Sequence, residues 1–154
     1  MNFDEFYAYL SSYPFDKIVI LGLGNPNRSD DGAGLYLFKK LKHRQEFNSI
    51  NFIEAGRTPE NYLQKILSYS PRLVVFVDVI RNSKSDSIQL LDSISLNDDG
   101  FTTHSYSISL VEEYLKNFGD LEVKYLAVPV KSTPTGSTIT LEIKSSISQF
   151  LISK

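Results

Sequence analysis

The chain has 154 residues, of which 42% are hydrophobic and 22% charged, and a formal net charge of −2, values typical of one globular domain that buries about 68–70% of its unfolded surface. No apolar stretch approaches the ~20 residues that span a bilayer, and the acidic N-terminus does not resemble a secretory signal, so we expect a cytoplasmic protein without membrane insertion. The negative charge disfavours a nucleic-acid partner, and a sequence without cysteine excludes disulfides, thiolate metal ligands and a cysteine nucleophile.

Helical and extended patterns alternate along the chain, as expected of a mostly parallel sheet with helices on both faces. In chain order, the predicted elements are a helix over Phe3 to Ser11, a central strand over Lys17 to Leu21, a helix over Asp31 to His43, a strand over Ile50 to Ile53, a helix capped by Thr58 and starting at Pro59, a strand over Leu73 to Val77 that ends on Asp78, an edge strand over Ser87 to Leu91, a helix marked by Ile108, Val111, Leu115 and Phe118, and a strand over Leu121 to Val128. Past Pro129, residues 131–136 are turn-like, and 138–143 fit either a strand or the front of a helix that reaches Ile152. The fold class is therefore α/β, a single three-layer domain over 1–154 with a twisted, mostly parallel five-stranded sheet.

Two short segments carry the candidate functional residues. The first runs from Gly22 to Gly34, out of a buried strand and into a helix, and the second is Thr102-Thr103-His104, which holds one of the two histidines. In an open α/β sheet, ligands bind beyond the carboxyl ends of the strands, where we expect both Asp31 and Asp78. The N-terminus of a helix stabilises an ionised Asp31, whereas Asp78 at the end of a buried strand costs several kcal/mol unless a cation or hydrogen-bond donors compensate.

Asp31, Asp78 and His104 would together supply two carboxylates and one imidazole, a set that suits Zn, Ni, Co or Fe better than Ca or Mg. Each feature also has a simpler explanation. Of the acidic pair before the helix, Asp30 is assigned the helix cap; Asp78 can be satisfied by backbone N–H groups, and His104 can be a hydrogen-bonded loop residue. His43 lies in a charged run and is expected on a solvated helix face.

The glycine-rich loop does not predict a nucleotide site. A dinucleotide-binding loop needs a third glycine at position 27, which is Asn27, and no Walker lysine follows. We therefore expect no organic cofactor.

At these residues the chain resembles the nickel-iron hydrogenase maturation endopeptidases. The segments Leu21-Gly22-Leu23-Gly24-Asn25-Pro26, Asp30-Asp31-Gly32-Ala33-Gly34, Val77-Asp78-Val79 and Thr102-Thr103-His104 follow the order of the family's motifs. The stretch 54–61 is similar to a loop of the branch that serves formate-linked hydrogenases, so the resemblance covers 18–126. It implies a twisted sheet between helices, of phosphorylase/hydrolase-like type.

The implied activity is removal of a C-terminal extension from a hydrogenase large-subunit precursor after nickel insertion. The resemblance assigns metal contact and catalysis to Asp31, Asp78 and His104, with nickel arriving on the precursor and serving as a template for the scissile bond. Gly24, Asn25 and Gly32 are expected to contact the precursor segment, because glycine permits close backbone approach. No Gly-x-Ser-x-Gly elbow occurs, so a serine nucleophile is not implied.

The chain departs from the family at Glu54-Ala55-Gly56, where Asp-Gly-Gly is common, and at 128–133, which lacks the usual polar segment. Both departures concern the choice of partner more than the metal contacts. Two alternatives stay open. Gly22 to Pro26 also resembles the opening of peptidyl-tRNA hydrolases, although no histidine follows before His43, and the same three ligands would serve a protein that binds nickel-loaded precursor without cutting it.

Overall fold

Helices and strands alternate in a computed structural model of the chain, which describes residues 1–92, 102, 104–131 and 138–152. The elements are α1 (Phe3–Leu10), β1 (Ile18–Leu23), α2 (Ala33–Lys42), β2 (Asn51–Gly56), α3 (Leu63–Ser68), β3 (Leu73–Arg81), β4 (Gln89–Leu91), α4 (Ser105–Lys116), β5 (Glu122–Val130) and α5 (Leu141–Leu151). Short 3-10 turns precede α2 (Ser29–Gly32) and α3 (Pro59–Tyr62). No helix in these described ranges is long and apolar enough to cross a bilayer.

The strands form a five-stranded sheet in the order β2-β1-β3-β5-β4. All neighbouring pairs are parallel except β4 with β5, so β4 is an antiparallel edge strand. The predicted fold class is confirmed. The strand predicted to be central, β1, is an interior strand between β2 and β3, and β3 is the middle strand of the five.

Helices cover both faces of the sheet, because alternate residues of each strand face opposite sides. On one face, Ile18 and Ile20 of β1 pack with apolar residues of α1, α2 and α5. On the other face, Val19 and Leu21 pack with apolar residues of α3 and α4. The result is a three-layer arrangement with two separate cores.

The structure corrects three of the predicted boundaries and resolves an ambiguity. β3 does not end at Asp78, because its pairing with β5 continues to Arg81. Phe118 lies beyond the end of α4 and is exposed, so it does not contribute to the buried face of that helix. The helix predicted to start at Pro59 begins as a 3-10 turn and becomes α-helical only at α3.

The end of the chain forms α5 rather than a strand. Thr140 caps the helix, since its side-chain oxygen accepts a hydrogen bond from the backbone N–H of Ile143 at 3.4 Å. The turn predicted at 131–136 lies, apart from Lys131, outside the described residues.

A crevice is expected where β1 and β3 part, because the chain leaves β1 for β2 on one side and then returns to β3 on the other. The pairing of β1 with β3 ends at Gly22 and Val77, so Asp78 is the first residue of β3 beyond it. Gly34 of α2 packs tightly against the ends of this pairing. A Cβ on Gly34 would lie 2.7 Å from the Asp78 Cα and 2.6 Å from the Leu23 carbonyl oxygen. The start of α2 therefore lies directly against the strand that carries Asp78.

Candidate active site

Asp78 is fully buried, and three donors hold its carboxylate. Oδ1 accepts the backbone N–H of Val79 at 2.7 Å. Oδ2 accepts the Thr102 hydroxyl at 2.7 Å and lies 2.7 Å from His104 Nδ1. The simple explanation considered for Asp78, satisfaction by backbone N–H groups, thus accounts for one of these donors, and two side chains supply the others.

His104 stands directly before α4 and is paired with Asp78. Because an ionised carboxylate has no proton to donate, Nδ1 must be the donor, which leaves the lone pair of the neutral ring on Nε2. Burial alone lowers the pKa of His104, but the hydrogen bond to Asp78 and the charge of its carboxylate outweigh burial, so the pKa is raised above 6.5. A histidine held in this way by a carboxylate suits either metal binding through Nε2 or proton transfer.

Asp31 occupies the 3-10 turn ahead of α2, and its carboxylate is engaged by two arginines. Arg81, at the end of β3, donates from Nη2 to Asp31 Oδ1. Arg28 Nε lies 3.7 Å from Oδ2. The Asp31 and Arg81 side chains are 14% and 13% exposed, whereas that of Arg28 is 66% exposed, so Arg81 forms the sheltered pair.

The structure brings Asp78 and His104 into contact but turns Asp31 toward Arg81. Among the described residues, no group of three or more His, Cys, Asp or Glu side chains is arranged to hold a metal ion. Asp31 nevertheless lies only three residues before Gly34, which packs against the Cα of Asp78. Metal contact by all three side chains stays a prediction, and it requires that the Asp31 carboxylate turn toward Asp78 and His104.

The loop residues predicted to bind substrate have contacts within the chain. Gly24 has a φ of +140°, and a Cβ there would lie 2.6 Å from the Asp31 carbonyl oxygen. Gly32 packs against Pro26, and Asn25 Oδ1 accepts the backbone N–H of Asn27 at 3.0 Å. Close packing of the loop explains both glycines, so precursor binding by Gly24, Asn25 and Gly32 stays a prediction.

The assignment of Asp30 as the cap of α2 is wrong. The N-cap of α2 is Gly32, without a side-chain cap, because the 3-10 turn carries the Asp30 carboxylate toward α5. Asp30 is buried, and it accepts the backbone N–H of Thr140 at 2.8 Å and the Thr140 hydroxyl at 3.1 Å. The first aspartate of the pair therefore fastens the loop to the C-terminal helix.

Sequence reasoning missed two residues of this region. Arg81 fell outside the strand predicted to end at Asp78; extending the alternation of that strand by three residues would have placed Arg81 on the side of α2. Tyr125 of β5 donates its buried hydroxyl to the Val79 carbonyl oxygen at 2.9 Å. Burial first, and then the charge of Asp78, raise the pKa of Tyr125 well above 10. His43 is exposed at the end of α2, as predicted.

No protein-family profile matches the chain. A relative from Methanocaldococcus jannaschii, provisionally named a hydrogenase maturation protease, is 28% identical over 123 residues, which cover 75% of this chain and 73% of the relative. The [NiFe] hydrogenase maturation protease HycI of Thermococcus kodakarensis superposes with a TM-score of 0.76 at 26% identity, over 93% of this chain and 91% of that one. The endopeptidase HycI of Escherichia coli gives 0.69 at 25% identity, over 86% and 85%.

HybD of Escherichia coli, a hydrogenase maturating endopeptidase, superposes with a TM-score of 0.71 over 88% of this chain and 87% of that one. At 16% identity this likeness concerns the fold alone. Sequence and fold together confirm the resemblance carried by the loop, strand and histidine motifs: the chain is similar in both to hydrogenase maturation proteases.

Proposed function

We propose that this protein removes the C-terminal extension of a [NiFe] hydrogenase large-subunit precursor, and that nickel already bound to the precursor is the feature it recognises. The observation that carries the proposal is the Asp78–His104 pair, just beyond the last paired residues of β1 and β3, within a fold like that of maturation proteases. Nickel is part of the substrate here, and no organic cofactor is required. The cytoplasmic location expected from the sequence stays part of the proposal.

His104 is the group best prepared to meet nickel. Asp78 fixes the ring through Nδ1, so Nε2 presents its lone pair, and imidazole is a ligand that suits nickel. Asp78 therefore orients the His104 ring from the side opposite Nε2. Its Oδ1 accepts one hydrogen bond and its Oδ2 two, so its own predicted contact with nickel would use the remaining lone pair of Oδ1.

Asp31 would approach the same ion from the loop side. Its carboxylate is ionised and paired with arginines, and nickel would replace them as the partner cation. Contacts from β3, α4 and the loop would then hold the metal-bearing segment of the precursor in one orientation. Fixing that segment places the scissile bond, and such positioning can supply a large part of the rate enhancement of a hydrolase.

The direct test is incubation of the purified protein with precursor in nickel-loaded and nickel-free forms, followed by mass spectrometry of both products. We expect a shortened large subunit and a released C-terminal peptide only with the loaded form. The His104→Gln variant should release no peptide. His43→Gln makes the same substitution at the exposed second histidine and should cut like the wild type.

Other outcomes separate the remaining functions. An intact precursor recovered in a stable complex, with no peptide released, would favour a non-catalytic binder. Cleavage of peptidyl-tRNA without cleavage of precursor would favour the esterase alternative. Equal cutting of nickel-free precursor would remove nickel from the recognition step while leaving the protease activity in place.

A further inference from the structure

Arg81 is the sheltered cation paired with Asp31. Its guanidinium bonds one carboxylate oxygen of Asp31, and both side chains are largely withdrawn from solvent, at 13% and 14% exposure. Arginine stays protonated at any physiological pH, so this cation is permanent. A metal ion bound to Asp31 would lie close to the fixed positive charge of the Arg81 guanidinium, so the two cations repel each other and compete for the carboxylate.

The fold fixes Arg81 in this position. β3 pairs with β5 as far as Arg81 opposite Val130, so the backbone of the arginine belongs to the sheet and not to a loop. The turn that carries Asp31 packs against the same strand, and its first aspartate is tied to Thr140 of α5. The backbones of both partners are therefore held in place, and the ion pair can open only through rotation of the side chains.

We propose that Arg81 is a selectivity residue, which keeps free divalent metal away from the Asp31 carboxylate, one of the three predicted ligands beside Asp78 and His104, and admits only nickel presented by the precursor. A hydrated metal ion offers no contact except its own charge, and it must compete with a sheltered guanidinium. The docked precursor adds contacts along the loop that favour release of Arg81. The inference rests on the proposed function, since it assigns to that site a preference for protein-bound nickel.

Arg28 provides the comparison within the same protein. It faces the second oxygen of Asp31 at 3.7 Å, but its side chain is 66% exposed, so water and salt screen its charge. Arg28 should therefore compete poorly with a metal ion. Replacing each arginine by glutamine in turn removes one positive charge from beside Asp31. The charge removed is sheltered in Arg81→Gln and exposed in Arg28→Gln.

The experiment is titration of the purified protein with nickel chloride alone, followed by calorimetry, in the absence of any precursor. We expect Arg81→Gln to bind one nickel ion at least about tenfold more tightly than the wild type, a difference that corresponds to about 1.4 kcal/mol. Arg28→Gln should bind nickel as the wild type does. The gain should disappear in the double variant Asp31→Asn/Arg81→Gln, because the released carboxylate is then absent.

Two results would overturn the inference. One is a folded Arg81→Gln, verified by circular dichroism, whose nickel affinity equals that of the wild type. The other is nickel binding by the wild type that weakens in Asp31→Asn, because Arg81 would then not be excluding metal from Asp31. The second result needs no Arg81 variant, so it decides the matter even if Arg81→Gln fails to fold.

Precursor cleavage gives a separate readout. Excess free nickel should inhibit cutting by Arg81→Gln while the wild type continues to cut. If the wild type cuts no precursor at all, the proposed function fails, whereas the nickel titration still decides whether Arg81 guards Asp31.

Discussion

The two sides of the candidate site satisfy their carboxylates in different ways. On the β3 side, Asp78 is buried and held by a backbone N–H, a hydroxyl and an imidazole. On the loop side, Asp31 is held by a sheltered and an exposed arginine. The first arrangement is already organised for chemistry, whereas the second must change its partner before it can act.

This difference implies a division of labour between the two sides. The Asp78–His104 pair fixes a proton and a ring orientation, which cost nothing further when substrate arrives. The Asp31 carboxylate, in contrast, is neutralised by Arg81, and a second cation can bind it well only when the charge of the arginine moves away. Substitutions on the β3 side should therefore reduce catalysis, and those on the loop side should alter stability and metal selectivity.

The largest effect is expected for Asp78→Asn. Asparagine keeps the shape but removes the charge that fixes His104, and loss of such an orienting carboxylate typically costs 10–100-fold or more in activity. Initial rates of peptide release from nickel-loaded precursor measure the effect. Asp120→Asn, the same change at an exposed position, is the control. Release by Asp78→Asn at the wild-type rate would show that the β3 side is not the organised one.

The contrast also explains what the sequence could predict. The sheet and its helices follow from hydrophobic periodicity, and Asp78 was found because an acidic residue at the end of a buried strand is costly without a partner. His104 was a candidate imidazole in the loop before a helix, and the family resemblance supplied its role. Asp30 was misassigned because its partner, Thr140, lies 110 residues away, and a local sequence pattern cannot predict so distant a hydrogen bond. Arg81 was missed because the strand was predicted to end three residues too early. Without those residues, the alternation of the strand could not assign Arg81 to a face of the sheet.

The loop side can be broken at its anchor with Asp30→Ala. The substitution removes the acceptor of two hydrogen bonds from Thr140, and at about 0.5–1.5 kcal/mol each the free energy of unfolding should fall by about 2 kcal/mol. Urea denaturation measures this loss. Thr140→Val removes only the hydroxyl and should cost about 1 kcal/mol, in part through the helix cap. The double variant should lose less than the sum of both, because the two residues share one interaction. Full additivity would mean that Asp30 does not tie the loop to α5.

A smaller effect is expected for Tyr125→Phe on the β3 side. The ring remains and keeps its packing, but the hydrogen bond from its hydroxyl to Val79 is lost, for which about 1 kcal/mol of unfolding free energy is expected. Urea denaturation again supplies the value. Since Tyr125 donates to the backbone and not to His104, precursor cleavage should stay within about threefold of the wild type. A much larger loss of cleavage, with stability preserved, would assign the hydroxyl a part in the chemistry.

The finest test of the contrast is the titration of His104 itself. Its raised pKa depends on Asp78, so Asp78→Asn should lower the pKa of His104, since burial, which favours the neutral ring, is then unopposed by the carboxylate. NMR titration can follow both histidines of the chain in one experiment, with His43→Gln identifying the His104 signal. Because the folded-state pKa lies above 6.5, the pair contributes stability that is fully present below that pH and is lost as the pH rises through the folded value. The destabilisation caused by Asp78→Asn should therefore be larger at pH 5.5 than at pH 8.5. A His104 pKa that is unchanged in Asp78→Asn would mean that the carboxylate does not hold the ring. The β3 side would then be no better organised for catalysis than the loop side.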